Sequence, residues 1–523
     1  MTIDIDSIPL DDPEVYRLLQ AADSIGVFQV ESRAQSQTLP KMQPRCFDDL
    51  VAEISIIRPG PIQGQMVHPF LRRRQGLEPV EYPHPLLEPI LKETLGVVLY
   101  QEQVIKIAIA VAGFAPGEAD LFRRAMSGHR SRDAMERIRA RFVAGAVDRG
   151  VAEPIAQTVF DQLAGFAEFG FCKSHAAAFA KVTYDTAYLK VYYPVELYAA
   201  ILNNQPMGFY SPSVVINDAK RHGVAILPVD IDRSRRDCRP EGRRAIRIGF
   251  KYVAELGPQA LDRIEAEQAH GPFTSLPDFC RRTRLDRPAV ENLIRIGAFD
   301  SYGISRRALL WQLGEHEAQR PKRARPLSPR PPEGSGDIQS AGPGCEVPLI
   351  EEYSAVDLPP LRPIERAAAD YEILGLSPEY HVMEFYRARL RDHGVLTADD
   401  LAELVGDELE RALSPAPVQA APDPGRDGRR EGARSGASPL PDRGPAARIA
   451  RTQDGQVWAG GRRTVRAAGL AIVRQAPGTA KEHVFLTLED ETGLVNVVLK
   501  PAVYAAYRQI IRRDPLLIVE GDL

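Results

Sequence analysis

The stretch "FGFCKSHAAAFAKVTYDTAYLKVYYP" (residues 169–194) decides how the surrounding region folds. Its alanine run and its apolar spacing predict one long amphipathic helix that begins near Ser174, a residue type that often caps helix N-termini. Lys173 and His175 stand at that start, where the helix dipole disfavours cations. Backbone N–H groups beside these cations would suit a phosphate. The alternative is that both side chains simply point into water.

The composition is that of a cytoplasmic protein with several domains. The 523 residues exceed one ordinary core, so about three or four domains are expected. No run is long and apolar enough for a membrane span, so no membrane partner is expected. The five cysteines are scattered without a CxxC pair, which favours free thiols. The net charge is -4, so any nucleic-acid surface must come from local clustering.

Two arginine clusters are candidates for such a surface. The segment from Arg123 to Arg141 holds seven arginines and two acidic residues. Adjacent Arg123 and Arg124 suit bidentate contacts to phosphate, although solvated helix faces would explain part of the cluster. The segment from Arg233 to Arg247 again holds seven arginines against two acidic residues.

The segment that follows the second cluster predicts a DNA-binding hairpin. "GFKYVAELGPQALDRI" (residues 249–264) indicates a short helix, a turn at Gly257 and Pro258, and another helix. This order is typical of a helix-hairpin-helix unit, whose backbone N–H groups hold a nucleic-acid phosphate without reading bases. "ENLIRIGAFDSYG" (residues 291–303) suits a second, degenerate copy.

Six motifs, in order, resemble the fingers region of C-family bacterial DNA polymerases, the family of the DNA polymerase III alpha subunit. They are "IPLDDPEVYRLLQAADSIGVFQVESRAQ", "IIRPGPIQGQMVHPF", "LGVVLYQEQVIKIA", "LFRRAM", "FGFCKSHAAAFA" and "YLKVYYPVELYAAILNNQPMGFYSP". The last of these, with "ILPVDIDRS", is closer to the error-prone branch of the family. The resemblance runs from about Ile3 to Leu523 and is weak only in two Pro-rich linkers.

The resemblance implies a multidomain, mainly α fold with polymerase fingers, tandem helix-hairpin-helix motifs and a C-terminal, incomplete β-barrel of the oligonucleotide-binding (OB) type. The OB assignment also rests on alternating β-rich runs near the end of the chain. The predicted boundaries are 1–232 for the fingers with an N-terminal connector, 233–313 for the tandem hairpins, 314–360 for a Pro/Arg-rich linker, 361–413 for a small helical segment, 414–455 for a disordered linker and 456–523 for the truncated OB fold.

The resemblance also implies the binding residues, because the family's fingers hold the incoming deoxynucleoside triphosphate. The motifs place the following residues beside the triphosphate: Arg58, Arg123, Arg124, Lys173, Ser174 and His175. DNA contacts are expected at Arg235, Arg236, Arg243, Arg244, Lys251 and Gly257. Cys172 stands where the family often has Asn or Pro. Primer–template DNA and deoxynucleoside triphosphates are therefore the expected partners.

The metal ligands are expected outside this chain. In the family, palm aspartates hold two metal ions, and the palm lies upstream of every motif found here. No catalytic or metal-binding residue is therefore assigned, and Mg²⁺ is expected only for the complete enzyme. Asp4 and Asp6 imitate the spacing of a catalytic strand, but the family alignment predicts a solvated loop in the connector. An amino-terminal PHP-palm chain and mutagenesis-cassette proteins are implied partners, whereas no sliding-clamp motif is found.

Three functions remain open on the sequence alone. The first is a split, error-prone DNA-directed DNA polymerase, a nucleotidyltransferase of damage tolerance and translesion synthesis. The second is a catalytically inactive fragment that grips DNA. The third is a remnant, or pseudogene product, whose arginine clusters are solvated faces. Apolar surfaces left uncovered by a missing palm predict poor solubility.

Overall fold

The computed structural model describes residues 4–57, 67–126, 132–167, 171–318, 356, 358–413, 463–476 and 482–523. Two compact units divide the chain, Met1–Glu379 and Tyr380–Leu523, and each is described by itself. Across the described ranges, no helix combines the length and the apolar character that crossing a membrane would require.

The first unit is mainly helical, as the sequence predicts. Its helices are α1 Pro13–Gln20, α2 Arg33–Met42, α3 Phe47–Ile56, α4 Val67–Arg74, α5 Glu88–Leu91, α6 Gln101–Ala112, α7 Pro116–Met126, α8 Arg132–Asp148, α9 Glu153–Ala167, α10 Lys173–Tyr192, α11 Pro194–Asn203, α12 Pro212–Arg221, α13 Pro258–Gln268, α14 Leu276–Thr283, α15 Arg287–Arg295, α16 Arg306–Ala318 and α17 Pro363–Leu374. A small sheet joins β1 Ala225–Leu227, β2 Arg239–Pro240 and β3 Ala245–Arg247 in the order β1-β3-β2.

Helix α10 is the long helix that the opening stretch predicts, and it packs on α3 and α1. Tyr184, near its middle, is fully buried in the core beneath these helices. Its hydroxyl accepts a hydrogen bond from the Asp12 N–H at 2.9 Å. Asp12 in turn caps α1 by accepting from the Glu14 N–H, with Pro13 at the first helical position. This contact fixes α10 against the start of the chain's first long helix.

Helices α6 to α9 surround a second core built on aromatic rings. Phe114, Phe122, Phe142 and Phe160 lie with ring centroids 5.4–6.2 Å apart, in edge-on, tilted and stacked pairs. Such pairs add to the free energy gained by burial alone. Because Phe122 of α7 is buried in this cluster, the next residue, Arg123, lies at the border of the core.

The tandem hairpins lie in the second half of the first unit. The first predicted short helix is a single 3-10 turn, Phe250–Tyr252, because Val253 leaves helical geometry at once. Gly257 is the N-cap of α13 with φ -71° and ψ 169°, so the left-handed position of this hairpin is Glu255, at φ 67°. In the degenerate copy, Gly297 takes φ 82° between α15 and the 3-10 turn before α16.

The second unit contains the predicted half-barrel. Its strands are β4 Thr464–Gln475, β5 Val484–Glu489, β6 Leu494–Leu499 and β7 Leu516–Asp522, and its helices are α18 Arg387–Asp392, α19 Ala398–Leu413 and α20 Pro501–Arg513. The strands form one antiparallel sheet in the order β6-β5-β4-β7. Leu486 and Leu488 are fully buried on its inner face, where Ile511 of α20 also packs. The curled sheet confirms an incomplete barrel of the OB type.

A buried acid in α3 makes the stability of the first unit depend on pH. Glu53 is fully buried, and neither carboxylate oxygen has a hydrogen-bond partner among the described residues. Burial without a partner disfavours the charged form and raises the pKa of Glu53 to about 8. In the unfolded chain the same group ionises near its ordinary pKa of 4.5. Between these two values the folded state holds the extra proton, so stability falls as pH rises.

Replacing this acid with glutamine should remove that pH dependence. We expect the difference in unfolding free energy between Glu53→Gln and wild type to grow by about 1.4 kcal/mol per pH unit from pH 5 towards pH 8. Chemical denaturation at several pH values measures it. Glu14→Gln, which removes an exposed carboxylate paired with Arg17, is the control. A constant difference between Glu53→Gln and wild type across this range would show that Glu53 does not ionise as argued.

Candidate functional site

Two helix starts lie side by side at the centre of the candidate site. Tyr100, which precedes α6, forms a parallel β-bridge with Phe171, which precedes α10. The Gln101 N–H donates to the Phe171 carbonyl at 2.8 Å. Two chain segments separated by about seventy residues are thus joined by backbone, so the side chains of both helix starts share one surface.

A carboxylate from another helix, α6, contacts the start of α10. The helix begins at Lys173, whose backbone N–H lies 3.1 Å from each of the two Glu102 carboxylate oxygens. The prediction that Ser174 caps this helix is wrong, because Cys172 occupies the N-cap position and makes no side-chain capping bond. Glu102, from α6, supplies the acceptor instead, and the Ser174 hydroxyl lies 2.9 Å from the Cys172 sulfur. An anion therefore does bind at this helix start, as its dipole favours.

The Lys173 ammonium extends over the same junction. Its Nζ donates to Glu93 at 2.6 Å and lies 5.4 Å from the centre of the Tyr100 ring. The side chain is 37% exposed. Because exposed ion pairs contribute little to stability, this lysine can exchange Glu93 for another anion at small cost.

Arg123 brings α7 to the junction. Its guanidinium donates to the Gln101 side chain at 3.1 Å and pairs with Asp120 at 3.0 Å. Arg124 pairs with the other Asp120 oxygen at 2.9 Å and is 67% exposed on its side chain. Since Gln101 and Glu102 are neighbours in sequence, Arg123 and the α10 start approach one another around the first turn of α6.

Two predicted nucleotide contacts remain, His175 and Arg58. His175 is exposed and packs edge-on against Phe171 and Phe179, at centroid distances of 5.1 and 4.4 Å. Phe179 contacts Phe28 at 5.3 Å, which extends the row of rings. Arg58 lies outside the described residues.

Three of the predicted DNA-binding cations make internal contacts. Arg235 donates to Gln268 at 2.7 Å, and Arg236 pairs with Asp262 and Glu265, so both hold the preceding loop on α13. The Lys251 ammonium donates to the Asn203 carbonyl at 2.7 Å. These contacts position the first hairpin rather than leaving the side chains extended into solvent.

The other predicted DNA-binding positions lie at the surface. Arg243 and Arg244 are exposed in the tight turn before β3, where Gly242 takes φ 74°. A Cβ at Gly257 would meet no heavy atom within 4 Å, so the backbone at the start of α13 is open to an approaching group. The exposed cations and this helix start therefore belong to one folded module.

Comparison with known proteins identifies two domains in this chain. A model of the bacterial DNA polymerase III alpha subunit finger domain matches residues 1–150, and a helix-hairpin-helix motif matches residues 223–309. Error-prone DNA polymerases of Anaeromyxobacter dehalogenans and Mycobacterium tuberculosis are each 38% identical to this chain, over 98% and 100% of its length. The chain carries a DNA polymerase III alpha subunit finger domain and a helix-hairpin-helix motif. It spans 40% and 41% of the length of these two error-prone polymerases.

The two matched domains include some of the candidate site residues but not all of them. Arg123 and Arg124 fall inside the finger-domain match, whereas Lys173, Ser174 and His175 lie beyond residue 150 and within the alignments to whole error-prone polymerases. The DNA-contact candidates all fall inside the helix-hairpin-helix match. No comparison tests the role of any single residue, so the assignments remain predictions.

Sequence reasoning missed a buried ionic cluster at the far end of α10. The Lys190 ammonium, with 0% side-chain exposure, donates to Asp23 at 2.7 Å, to Asp218 at 2.9 Å and to the Ile25 carbonyl at 2.9 Å. The Nε2–H of His222 donates to the second Asp23 oxygen at 2.6 Å. The only signal in the sequence is a lysine within the apolar run "YLKVYYP".

This cluster does not fit a divalent metal. Asp23, Asp218 and His222 lie close enough to ligate one, but the Lys190 ammonium already supplies the cation between the two carboxylates. Burial would raise the pKa of Asp23, yet the His222 hydrogen bond and the lysine charge hold it well below its usual range. Burial lowers the pKa of His222, but Asp23 and Asp218 outweigh burial and raise it. The cluster is a structural tie between α10, the loop after α1 and α12.

The acidic pair of the connector likewise lacks a metal-site geometry. Asp4 caps a single 3-10 turn, Ile5–Ser7, by accepting from the Asp6 N–H at 3.2 Å, and both residues are exposed. The predicted solvated loop is therefore close to the observed turn. Among the described residues, neither Asp4 with Asp6 nor the Lys190 cluster offers the paired carboxylates that two catalytic metal ions require.

Proposed function

We propose that this chain supplies the nucleotide-binding fingers and the DNA-binding hairpins of a cytoplasmic, error-prone DNA-directed DNA polymerase acting in damage tolerance. The observation that carries the proposal is the meeting of Arg123, Lys173 and the α10 start around the first turn of α6. A triphosphate needs several converging cations and N–H donors, and this junction is where the described residues of the finger region provide them.

In this proposal each group acts on the incoming nucleotide. The Arg123 guanidinium and the Lys173 ammonium would neutralise charge on the β- and γ-phosphates, and Arg124 would add a mobile, exposed charge. The N–H groups of the first turn of α10 would donate to a phosphate oxygen, and His175 would lie beside the nucleotide on its row of rings. Positioning these groups before reaction lowers the barrier because attack of the primer 3′-hydroxyl on the α-phosphate breaks the bond to the β-phosphate, and negative charge then develops on the departing pyrophosphate.

The Mg²⁺ that this chemistry requires would be held by another polypeptide region. Paired palm carboxylates would hold these ions, which would supply Lewis-acid activation of the attacking hydroxyl and charge stabilisation of the leaving oxygen. With those ligands proposed in another region, the contribution of this chain is to bind and orient the triphosphate and the DNA. An amino-terminal palm-containing chain is the proposed partner.

The exposed turn of the hairpin module should contribute sequence-independent DNA binding. Arg243→Gln/Arg244→Gln is expected to weaken binding to primed DNA by about tenfold and to reduce the slope of log affinity against log salt by about 2. Fluorescence anisotropy over a salt series measures both quantities. Arg17→Gln/Arg45→Gln, which removes two exposed arginines from the α1–α3 region, should change neither. Equal effects of the two double variants would assign the binding to bulk charge instead.

Primer extension tests the proposed function as a whole. The purified chain is mixed with a palm-containing amino-terminal polypeptide from an error-prone polymerase, a primed template, four deoxynucleoside triphosphates and Mg²⁺. We expect no synthesis by the chain alone and synthesis by the mixture. Absence of synthesis in the mixture, with salt-sensitive DNA binding retained, would support the inactive DNA-binding fragment instead.

A further inference from the structure

The proposed triphosphate site is already neutralised by the chain's own carboxylates. Glu102 contacts the backbone N–H of Lys173, Glu93 pairs with the Lys173 ammonium, and Asp120 pairs with both arginines of α7. Lys173, Arg123, Arg124 and the first N–H of α10 therefore each have a carboxylate oxygen where a phosphate oxygen is proposed. We infer that Glu102 and Glu93 act as a displaceable internal anion, and that the nucleotide binds by exchanging its phosphates for these two carboxylates.

The contacts of Glu102 are those that a phosphate would make. Both of its oxygens lie 3.1 Å from the first N–H of α10, and one lies 3.4 Å from the Cys172 sulfur. An acid that merely caps its own helix comes from that helix's first turn, whereas Glu102 reaches across from α6. A phosphate at the same N–H cannot coexist with this carboxylate, because two anions would share one donor.

Buried hydrogen bonds hold the backbone segment that carries Glu93 and Glu102. Release of Lys173 therefore requires movement of these two side chains only. The Gln103 side chain accepts from the N–H groups of Leu99 and Tyr100 at 2.9 and 3.0 Å and donates to Thr94 at 2.9 Å. Gln103 and Thr94 are buried. Glu93 and Glu102 lie at the two ends of this hydrogen-bonded segment. Rotation of their side chains is enough to release Lys173.

The carboxylates beside the cations should weaken the binding of a triphosphate. A triphosphate entering the present arrangement would meet three carboxylates as well as the cations, so part of the cations' attraction is cancelled. Removing the charge of Glu102 while keeping an oxygen acceptor should therefore tighten binding. Because Asp120 belongs to the same helix as the arginines and pairs with both, its removal would also alter their positions, so Glu102 is the cleaner test.

The inference rests on the proposed triphosphate site and is tested by calorimetric titration of the 523-residue chain with dATP and with inorganic tripolyphosphate. We expect Glu102→Gln to bind both probes about five- to tenfold more tightly than wild type. Glu102→Asp, which keeps the charge, should not tighten binding. Glu372→Gln, which removes a carboxylate paired with Arg295, is the matched control and should match wild type. Thermal melting of each variant confirms that the chain remains folded.

The outcomes separate the inference from the function on which it rests. If Lys173→Met abolishes dATP binding but Glu102→Gln binds no more tightly than wild type, the internal anion is wrong and the triphosphate site stands. If no variant shows binding that depends on Lys173, both fall. If Glu102→Gln and Glu372→Gln tighten binding equally, the effect comes from the overall charge of the chain. That result would overturn the inference.

Discussion

Replacing Lys190 with methionine should lower the free energy of unfolding by about 3–5 kcal/mol. The ammonium is completely buried and contacts Asp23, Asp218 and the Ile25 carbonyl. Methionine fills a similar volume but leaves Asp218, whose side chain is 4% exposed, without its main cation. Asp218 keeps the Arg221 guanidinium at 3.3 Å and the Tyr198 hydroxyl at 2.6 Å, but a buried carboxylate that loses its nearest cation still costs far more than the lost attraction of a surface pair.

Chemical denaturation followed by circular dichroism measures this loss. Arg17→Met is the control because Arg17 lies on α1 and pairs with Glu14, and both side chains of this pair are exposed. That variant should lose less than about 1 kcal/mol. Similar small losses in both variants would show that the buried cluster does not tie α10 in place.

The second large effect is expected in catalysis. In single-nucleotide incorporation by the chain mixed with a palm-containing polypeptide, Lys173→Met and Arg123→Met should each reduce kcat/KM by about 100-fold. Each removes a cation that the proposed site directs at the triphosphate, where no water can replace it as effectively. The measurement is a rapid-quench time course at several dATP concentrations.

Arg139 provides a control, because it is an arginine of the same region that lies away from the proposed triphosphate site. Arg139→Met removes a guanidinium that pairs with Asp161 and lies over the Phe160 ring, on α8 rather than at the junction. It should incorporate nucleotide within about twofold of wild type. Incorporation by Lys173→Met at the rate of Arg139→Met would remove the lysine from the triphosphate site.

The sequence predicted the elements that local pattern specifies. The long helix after Phe171, the hairpin at Gly257 and the β-rich end all follow from periodicity, capping and turn residues, and the structure has them. The cap of α10 was predicted wrongly at Ser174 because its acceptor comes from Glu102, about seventy residues earlier in the chain. Local rules cannot foresee a capping group that only the tertiary fold delivers.

Local sequence patterns also could not reveal which carboxylates pair with the cations of the site. Sequence reasoning placed Arg123 and Lys173 near one ligand through motif resemblance, and the structure shows them meeting around α6. It could not show that Glu93, Glu102 and Asp120 already neutralise them, since carboxylates are common and unremarkable in the sequence. Lys190 and Glu53 were missed for a related reason: their energetic effect comes from burial, which the residue type alone does not reveal.

Hydrogen–deuterium exchange with and without dATP locates the bound nucleotide on the chain, and so tests whether Lys173 and Arg123 belong to one triphosphate site. We expect slower exchange in peptides covering residues 171–178 and 119–126 when dATP is added, and no such change in Lys173→Met. Saturable dATP binding that leaves both of these peptides unprotected would contradict that expectation.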